Sequence, residues 1–476
     1  MNKYQTLASN TVVLAIGQFS SKLLVYVMLR FYTGMLGTDG FSQVTNIVNA
    51  SALLISVVTL SISEGVLRYA LDKQVNHKMV LSIGINTALI GLVVFAAGVP
   101  LVGLIPMLKG YQWLIYMYVC TGSIKGICSI YVRARGQVRL FAVDGILTTI
   151  VNILLNLLLL GVFKLGVVGY VLSVSLADLC SIVFLSAVAK LYNDYRPLGN
   201  DKSLRNAMLR YSVPLMPTSV MWWITNVSDT FMITYIHGDE ANGIFSFAYK
   251  FPSLAAIAVG IFSQAWHMSA ITERNSRTVS NFYSNIFKMM QTVMYIVSAG
   301  IMLVLRPIIM PFFGSADFQS AYFYVPCLLL AVVFQSFNNF LSSIYEAADK
   351  TGHSLISAVI GAVTNVALNL VLINAIGIIG AAIATLASYV VVFTYRVIDT
   401  KKYLYMKIYW GRIALNLALL VAMSLVVMFV PYGVMFNMLN CVIFIVIVAV
   451  NFKTCMNAVD MFISKKFGRG KKNGQE

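Results

Sequence analysis

Charge is what this 476-residue sequence has least of. Only 11% of its positions are Asp, Glu, Lys or Arg, where a soluble domain carries about a quarter. Hydrophobic residues fill 59% of the chain and mean hydropathy is +0.82. So few polar groups are unable to cover an exterior against water, which excludes a soluble fold and makes lipid the surrounding solvent. Histidine is scarce: His77, His237, His267 and His353 lie far apart, at or near the ends of apolar runs. No nucleophile elbow, P-loop or metal box is present, and no polar loop is long enough for a catalytic domain. An enzyme is therefore not expected, nor an ATP-driven pump unless a partner supplies the ATPase. The six cysteines (Cys120, Cys128, Cys180, Cys327, Cys441, Cys455) show no CxxC or Cys/His ligand spacing. That excludes a disulfide framework or a zinc site, and no cofactor is expected.

What the chain does have is long apolar runs. About 20 such residues cross a bilayer core. By that ruler, fourteen spans fall near 10–33, 42–66, 79–105, 112–132, 141–163, 166–189, 211–236, 243–268, 281–305, 321–343, 354–375, 378–396, 411–430 and 434–452. The pairs 354–375/378–396 and 411–430/434–452 are the weakest divisions, joined only by Gly or Pro-Tyr-Gly turns. The polar start Met1–Asn10 followed by a long apolar run reads as a first membrane helix rather than a cleavable leader.

The net charge of +17 would suggest nucleic acid in a soluble protein, but the cations sit in short gaps between spans, not on a basic face. With the N-terminus inside, the inner gaps and tails hold 26 Lys and Arg, including Arg68, Arg133, Lys190, Arg210, Lys350, Arg396, Lys407, Arg412 and Lys453. The outer gaps hold three, Lys109, Lys164 and Arg306. An odd span count would scramble this asymmetry, so both termini are expected in the cytoplasm and the protein in the plasma membrane.

Internal similarity divides the spans. Asn152-Ile-Leu-Leu-Asn156-Leu157 is echoed by Asn365-Val-Ala-Leu-Asn369-Leu370, and Gly166-Val-Val-Gly169 by Gly377-Ile-Ile-Gly380. Gly40-Phe-Ser in the second span is echoed by Gly243-Ile-Phe-Ser in the eighth. Six spans followed by six in the same sense make a parallel repeat, a transporter architecture; convergent helix packing is the alternative. The expected organisation is all-α and polytopic: a six-helix lobe over 1–190, a cytoplasmic amphipathic linker over 191–210, a second six-helix lobe over 211–400, a terminal helix pair over 401–453 and a basic tail over 454–476.

Ionisable residues within spans cost about 3 kcal/mol or more and demand a reason. The cations are Lys22, Arg30, Lys125, Lys250 and Lys288; the acids are Glu64, Asp144, Asp178 and Asp229. Cations on several helices suit an anionic substrate such as a phosphate or pyrophosphate. Lys288 reads as snorkelling to headgroups. Glu64 and Arg68 are spaced for a local ion pair or a substrate contact, and Asp229 and Lys250 for mutual neutralisation. Lys22 and Lys125 have no evident local partner, so they carry most of the functional weight. Pro214, Pro217 and Pro252 favour bends, and Trp222-Trp223 suits either a cavity lining or core packing.

These strings have a family resemblance. Ser21-Lys22, Gly37-Thr38-Asp39-Gly40-Phe41 and Ser63-Glu64-Gly65 resemble the corresponding parts of lipid II flippases. Pro214-Leu-Met-Pro217 with Asp229 resembles the polysaccharide (Wzx-type) flippases. With its division into six, six and two spans, nearly the whole chain resembles the multidrug/oligosaccharidyl-lipid/polysaccharide (MOP) exporter superfamily. The resemblance implies a flippase that moves a polyprenyl-pyrophosphate-linked oligosaccharide from the inner to the outer leaflet. It would work by alternating access of two lobes, driven by the membrane potential or an ion gradient. Lys22, Arg30, Lys125 and Lys250 would hold the diphosphate, and Glu64, Asp144, Asp178 and Asp229 would pair charges or couple ions. The implied partners are the lipid-linked substrate, membrane lipids and other polysaccharide-assembly proteins, without nucleic acid. The last two spans would bear a groove for the lipid tail. Met28 stands where lipid II flippases carry a second basic residue, which favours another polysaccharide repeat unit. A cation-coupled multidrug exporter of the same superfamily is the alternative, disfavoured by the extra spans and the basic interior.

Overall fold

The computed structural model describes residues 26–72, 74–197, 201–257, 259–260, 279–312, 316–348 and 350–467. Most of the expected first span, Lys22 included, lies outside the described residues. Among them the chain is helical, with no β-strand. The principal helices are α1 (Leu29–Val58), α2 (Ile62–Leu71), α3 (His77–Val102), α4 (Gln112–Ala134), α5 (Val138–Asn156), α6 (Gly166–Val188) and α7 (Lys202–Ser212). They continue with α8 (Met216–Ala248), α9 (Val279–Phe312), α10 (Val325–Ala347), α11 (Thr351–Ile376), α12 (Ile378–Thr400), α13 (Trp410–Phe429) and α14 (Val434–Phe467).

Eleven helices among the described residues are long and apolar enough to cross a membrane. The fold is thus that of an all-α polytopic membrane protein. Both doubtful pairs are separate helices. Gly377, at φ +71°, parts α11 from α12, and α13 ends at Phe429 before α14 begins at Val434. α8 carries the expected seventh span and the start of the eighth, and it is not among the eleven.

The chain forms two compact units, Met1–Ser246 and Phe247–Glu476. In the first, apolar side chains from successive helices interlock: Ile47 and Ala50 of α1, Leu92 of α3, Val119 of α4 and Val171 of α6 form one cluster. Ile62 and Val66 of α2, Tyr131 of α4, Leu185 of α6 and Met208 of α7 form a second. Lipid tails are as apolar as these side chains, so close packing rather than water exclusion holds such helices together. Small residues permit the approach. A Cβ on Gly91 of α3 would stand 1.9 Å from the Val58 carbonyl oxygen of α1.

The helix expected in the linker is present as α7. The Asp201 carboxylate caps its start by accepting from the Ser203 and Leu204 amides. Leu204, Met208 and Leu209 turn into the second cluster, while Lys202, Ser203 and Arg210 stay exposed.

Two helices are broken by glycine in a conformation that side chains do not tolerate. Gly37 interrupts α1 at φ +64°, ψ −172°, and Gly238 interrupts α8 at φ +87°, ψ 178°. Each break is a kink that parts one apparent helix into two.

In the second unit α10 is the central helix, with 72% of its spanning window buried. By contrast α14, at 22%, is peripheral. Arg306 departs from the expected outer loop: it lies within α9 and is 5% exposed. Its guanidinium donates to the Val430 carbonyl at 2.6 Å and to the Val427 carbonyl, the open end of α13. It lies over the rings of Tyr322 at 4.3 Å and Phe436 at 4.8 Å. A helix C-terminus carries unpaired carbonyls and a partial negative charge, so an arginine reaching it from a neighbouring helix finds acceptors and a favourable potential there.

Candidate functional site

Three features gather polar chemistry inside this apolar scaffold. The first is a seam between α1 and α8, beside the two glycine breaks. Ser42 donates to the Asp239 carboxylate at 2.7 Å, and Asn242 donates to Ser42 at 2.8 Å and to Asn46 at 3.2 Å. Asn46 donates to Thr234 at 3.0 Å, and the Trp223 indole donates to the Asn49 carbonyl at 2.8 Å. Ser42, Asn46 and Asn49 share one helical face. The backbones nearly touch: a Cβ on Gly243 would lie 2.1 Å from the Thr38 carbonyl oxygen. Of the echoed glycines, Gly243 sits at this contact, while Gly40 faces Leu36 and Val167 of α6.

The second feature is a charge cluster on three successive helices. Lys125 of α4 pairs with Asp178 of α6 at 3.0 Å. Asp144 of α5, 1% exposed, accepts from Ser181 at 2.6 Å and from Ser129 at 3.5 Å. Glycine at 122, one turn before Lys125, leaves space for the Ile55 side chain of α1; a Cβ there would sit 2.9 Å from its Cδ1. Lys125, Asp144 and Asp178 are therefore brought together, and Lys125, which has no local partner in the sequence, finds a distant one. Its partner lies two helices onward, beyond the reach of local spacing. Buried charges in lipid-facing bundles are compensated in this way.

The third feature is a pair of similar clasps, one in each unit. In the first, Tyr131 donates to Asp194 at 3.2 Å, and Arg135 and Lys78 make ion pairs to the same carboxylate. In the second, Tyr345 donates to Asp399 at 2.9 Å, beside His353 at 2.8 Å and Lys402 at 2.9 Å. The repeated asparagines also make the same bond: Asn156 donates to the Asn152 side chain at 2.9 Å, Asn369 to the Asn365 side chain at 3.0 Å.

Arg30 is exposed on α1, and Lys250 is half-buried in the second unit. Asp229 is fully buried in the first, its carboxylate accepting the Thr230 amide at 2.9 Å. Glu64 and Arg68 are both exposed and do not form the local ion pair allowed by their spacing. Arg68 instead stacks on Tyr211 at 4.3 Å. Next to it, Gly65 admits α7, since a Cβ there would meet the Ser212 hydroxyl at 2.6 Å.

Sequence reasoning missed Arg396. Counted among inner-loop cations, it lies inside α12, fully buried, donating to Ser357 at 2.8 Å and to the Asn338 carbonyl. Its closeness to Asp399, Lys401 and Lys402 disguised it as a loop charge. The signal available was Ser354 and Ser357 one turn apart on the preceding span, a polar stripe needing a donor.

Helices, breaks and buried charges together define a polytopic membrane protein with the fold of the MOP-superfamily transporters. Lipid II flippase MurJ in an inward closed conformation superposes with a TM-score of 0.71 at 15% identity, covering 94% of this chain and all of that one (100%). A MOP superfamily transporter from Pyrococcus furiosus gives 0.63 at 15% identity, covering 83% and 95%. An uncharacterized membrane protein of Methanocaldococcus jannaschii is 24% identical over 424 residues, 82% of this chain and 96% of its own. The family described as polysaccharide biosynthesis protein matches residues 7–267. That is more than half of the sequence, and the chain belongs to this family.

Proposed function

We propose that the protein carries a polyprenyl-pyrophosphate-linked oligosaccharide, a polysaccharide repeat unit, from the inner to the outer leaflet by alternating access. The observation that carries this reading is the α1–α8 seam. Two helices, each kinked at a positive-φ glycine, meet backbone to backbone at Gly243 and Thr38 and are laced by side-chain bonds. Under the inside-positive orientation, this seam closes the outer end. A closure made of a few polar bonds opens at modest cost, as a two-state transporter requires. The similar clasps and asparagine bonds of the two units support a duplicated scaffold.

The site would be cationic, and Lys125 is its best-described member. In the resting state Asp178 holds the Lys125 ammonium and Asp144 lies close by on serine hydroxyls. An arriving diphosphate competes for Lys125 and frees Asp178 to take a cation or a proton, linking substrate entry to ion binding. Lys22, Arg30 and Lys250 would complete the anion site, with Asp229 and Glu64 balancing its charge. Family membership favours a glycan cargo over a drug.

The test is an export assay in cells that depend on this chain. Lys22→Ala with Lys125→Ala is expected to abolish surface glycan and accumulate the polyprenyl-linked precursor on the inner leaflet. Unchanged export by a folded, membrane-inserted double variant overturns the cationic site. Absence of any polyprenyl-linked precursor on depletion of the protein overturns the cargo.

A further inference from the structure

The second unit holds a group of cations without an acid. Lys288 on α9 and Lys407 in the stretch before α13 both lie over the Tyr409 ring, at 5.5 and 5.3 Å. Arg412 on α13 and Lys453 on α14 act electrostatically on Lys288. No carboxylate among the described residues forms an ion pair with any of the four. Arg412 is fixed by neutral acceptors, donating to Asn451 at 2.6 Å and to Thr292; Asn451 in turn bonds Asn416.

Buried donors complete the cluster. Nη1 of Arg412 is enclosed and bonds nothing in the protein, and the same holds for the Tyr295 hydroxyl and for Nε2 of Gln291. Tyr295 is fully buried and within electrostatic reach of Arg412. Gln291 and Tyr295 stand one turn apart on the face of α9 that also carries Lys288. A fixed guanidinium, an amide and a phenol presenting unpaired N–H and O–H groups together make a receptor for oxygen acceptors, and the surrounding ammoniums select a negative one. Beside the cluster the surface turns apolar: Tyr405, Trp410 and Phe452 are 69%, 54% and 59% exposed. Cations next to a lipid-facing wall suit a molecule with an anionic head and a hydrocarbon tail.

We propose that Lys288, Gln291, Tyr295, Arg412 and Lys453, with Lys407 at the rim, form a binding site for a phosphate carried on a lipid. That chemistry has two sources, an acidic phospholipid of the bilayer or the diphosphate of a polyprenyl-linked substrate. The site stands on its own geometry, whichever cargo the protein moves.

Native mass spectrometry of the full-length protein tests it, with phosphatidylglycerol, undecaprenyl diphosphate and phosphatidylcholine as probes. One lysine beside a lipid phosphate accounts for roughly fivefold in affinity. Lys288→Gln with Lys453→Gln is therefore expected to weaken a phosphate lipid about 30-fold while leaving phosphatidylcholine unchanged. Loss for both anionic lipids identifies a bilayer phospholipid site; loss for the diphosphate alone identifies a substrate-loading site. Anionic binding equal to the parent's, or an equal loss for phosphatidylcholine, overturns the proposal. Arg412→Gln is a harsher variant that also loosens three helices. The lysine pair avoids that, and a thermal scan verifies its fold. Lys164→Gln, on the α5–α6 turn, is the control expected to bind as the parent does.

Discussion

Replacing Gly243 by alanine puts one methyl group where the Thr38 backbone stands. The added Cβ would lie 2.1 Å from the carbonyl oxygen and 2.7 Å from the carbonyl carbon. Neither atom belongs to a flexible side chain, so the two turns must part by about 1 Å to regain van der Waals separation. The seam bonds now span 2.7 to 3.2 Å, and such a retreat carries most of them past bonding range. Interhelical hydrogen bonds in membrane proteins average about 0.6 kcal/mol. Losing three or four, with the overpacking itself, costs the closed seam about 2–4 kcal/mol. The closed-to-open ratio falls roughly 30- to 1,000-fold. The assay is maleimide labelling of Thr45→Cys, one turn from Ser42, in a background free of other cysteines. With a membrane-impermeant reagent on intact cells, the Gly243→Ala variant is expected to label at least about ten times faster than the parent. Gly126→Ala is the control, because nothing lies within 4 Å of its added Cβ. Equal labelling and equal thermal stability in the parent and Gly243→Ala would refute the seam as a gate.

Three further outcomes follow from the buried charges. Asp178→Asn strands the Lys125 ammonium and is expected to cost about 3 kcal/mol, read as a lowered thermal midpoint; adding Lys125→Met should recover most of it. A single variant as stable as the parent would rule the pair out. Arg306→Lys keeps the charge but loses the planar guanidinium that lies over Tyr322 and Phe436 while its Nη1 reaches two carbonyls, so it should destabilise nearly as much as Arg306→Leu, by about 2 kcal/mol or more; retention of full stability by the lysine variant would contradict the capping role. At the second clasp, the hydrogen bond to Asp399 raises the pKa of Lys402 above its ordinary 10.5. Its contribution is fully present below the ordinary lysine value and fades as pH climbs through the raised one. Asp399→Asn should remove that alkaline step from a stability profile taken between pH 9 and 12.

The helices were legible because apolar length is a local property. Both turns at the doubtful pairs are real, at Gly377 and before Val434. The glycine echo was legible as a pattern, but its purpose was not: Gly243 meets Thr38 only once α1 and α8 pack together. Charge partners were hidden for the same reason. Lys125 and Asp178 sit on helices separated by a whole span, and Arg396 reaches Asn338, 58 residues back. Glu64 and Arg68 err in the other direction. Their spacing is right for a pair, yet Tyr211 offers Arg68 an aromatic face that a linear reading does not place beside it.

Arg306 has a consequence for the order in which the protein is made. The carbonyls that receive it lie 121 and 124 residues further along the chain. Until α13 and Tyr432 have left the ribosome, a charged side chain at the edge of the bilayer lacks its cage. The early bundle must therefore be shielded by lipid headgroups, water or an insertion factor during that interval. Arrival of the terminal helix pair relieves it, so those helices complete the assembly of the second unit as well as adding to its rim. Truncation after α12 should accordingly yield a protein that inserts but is rapidly degraded.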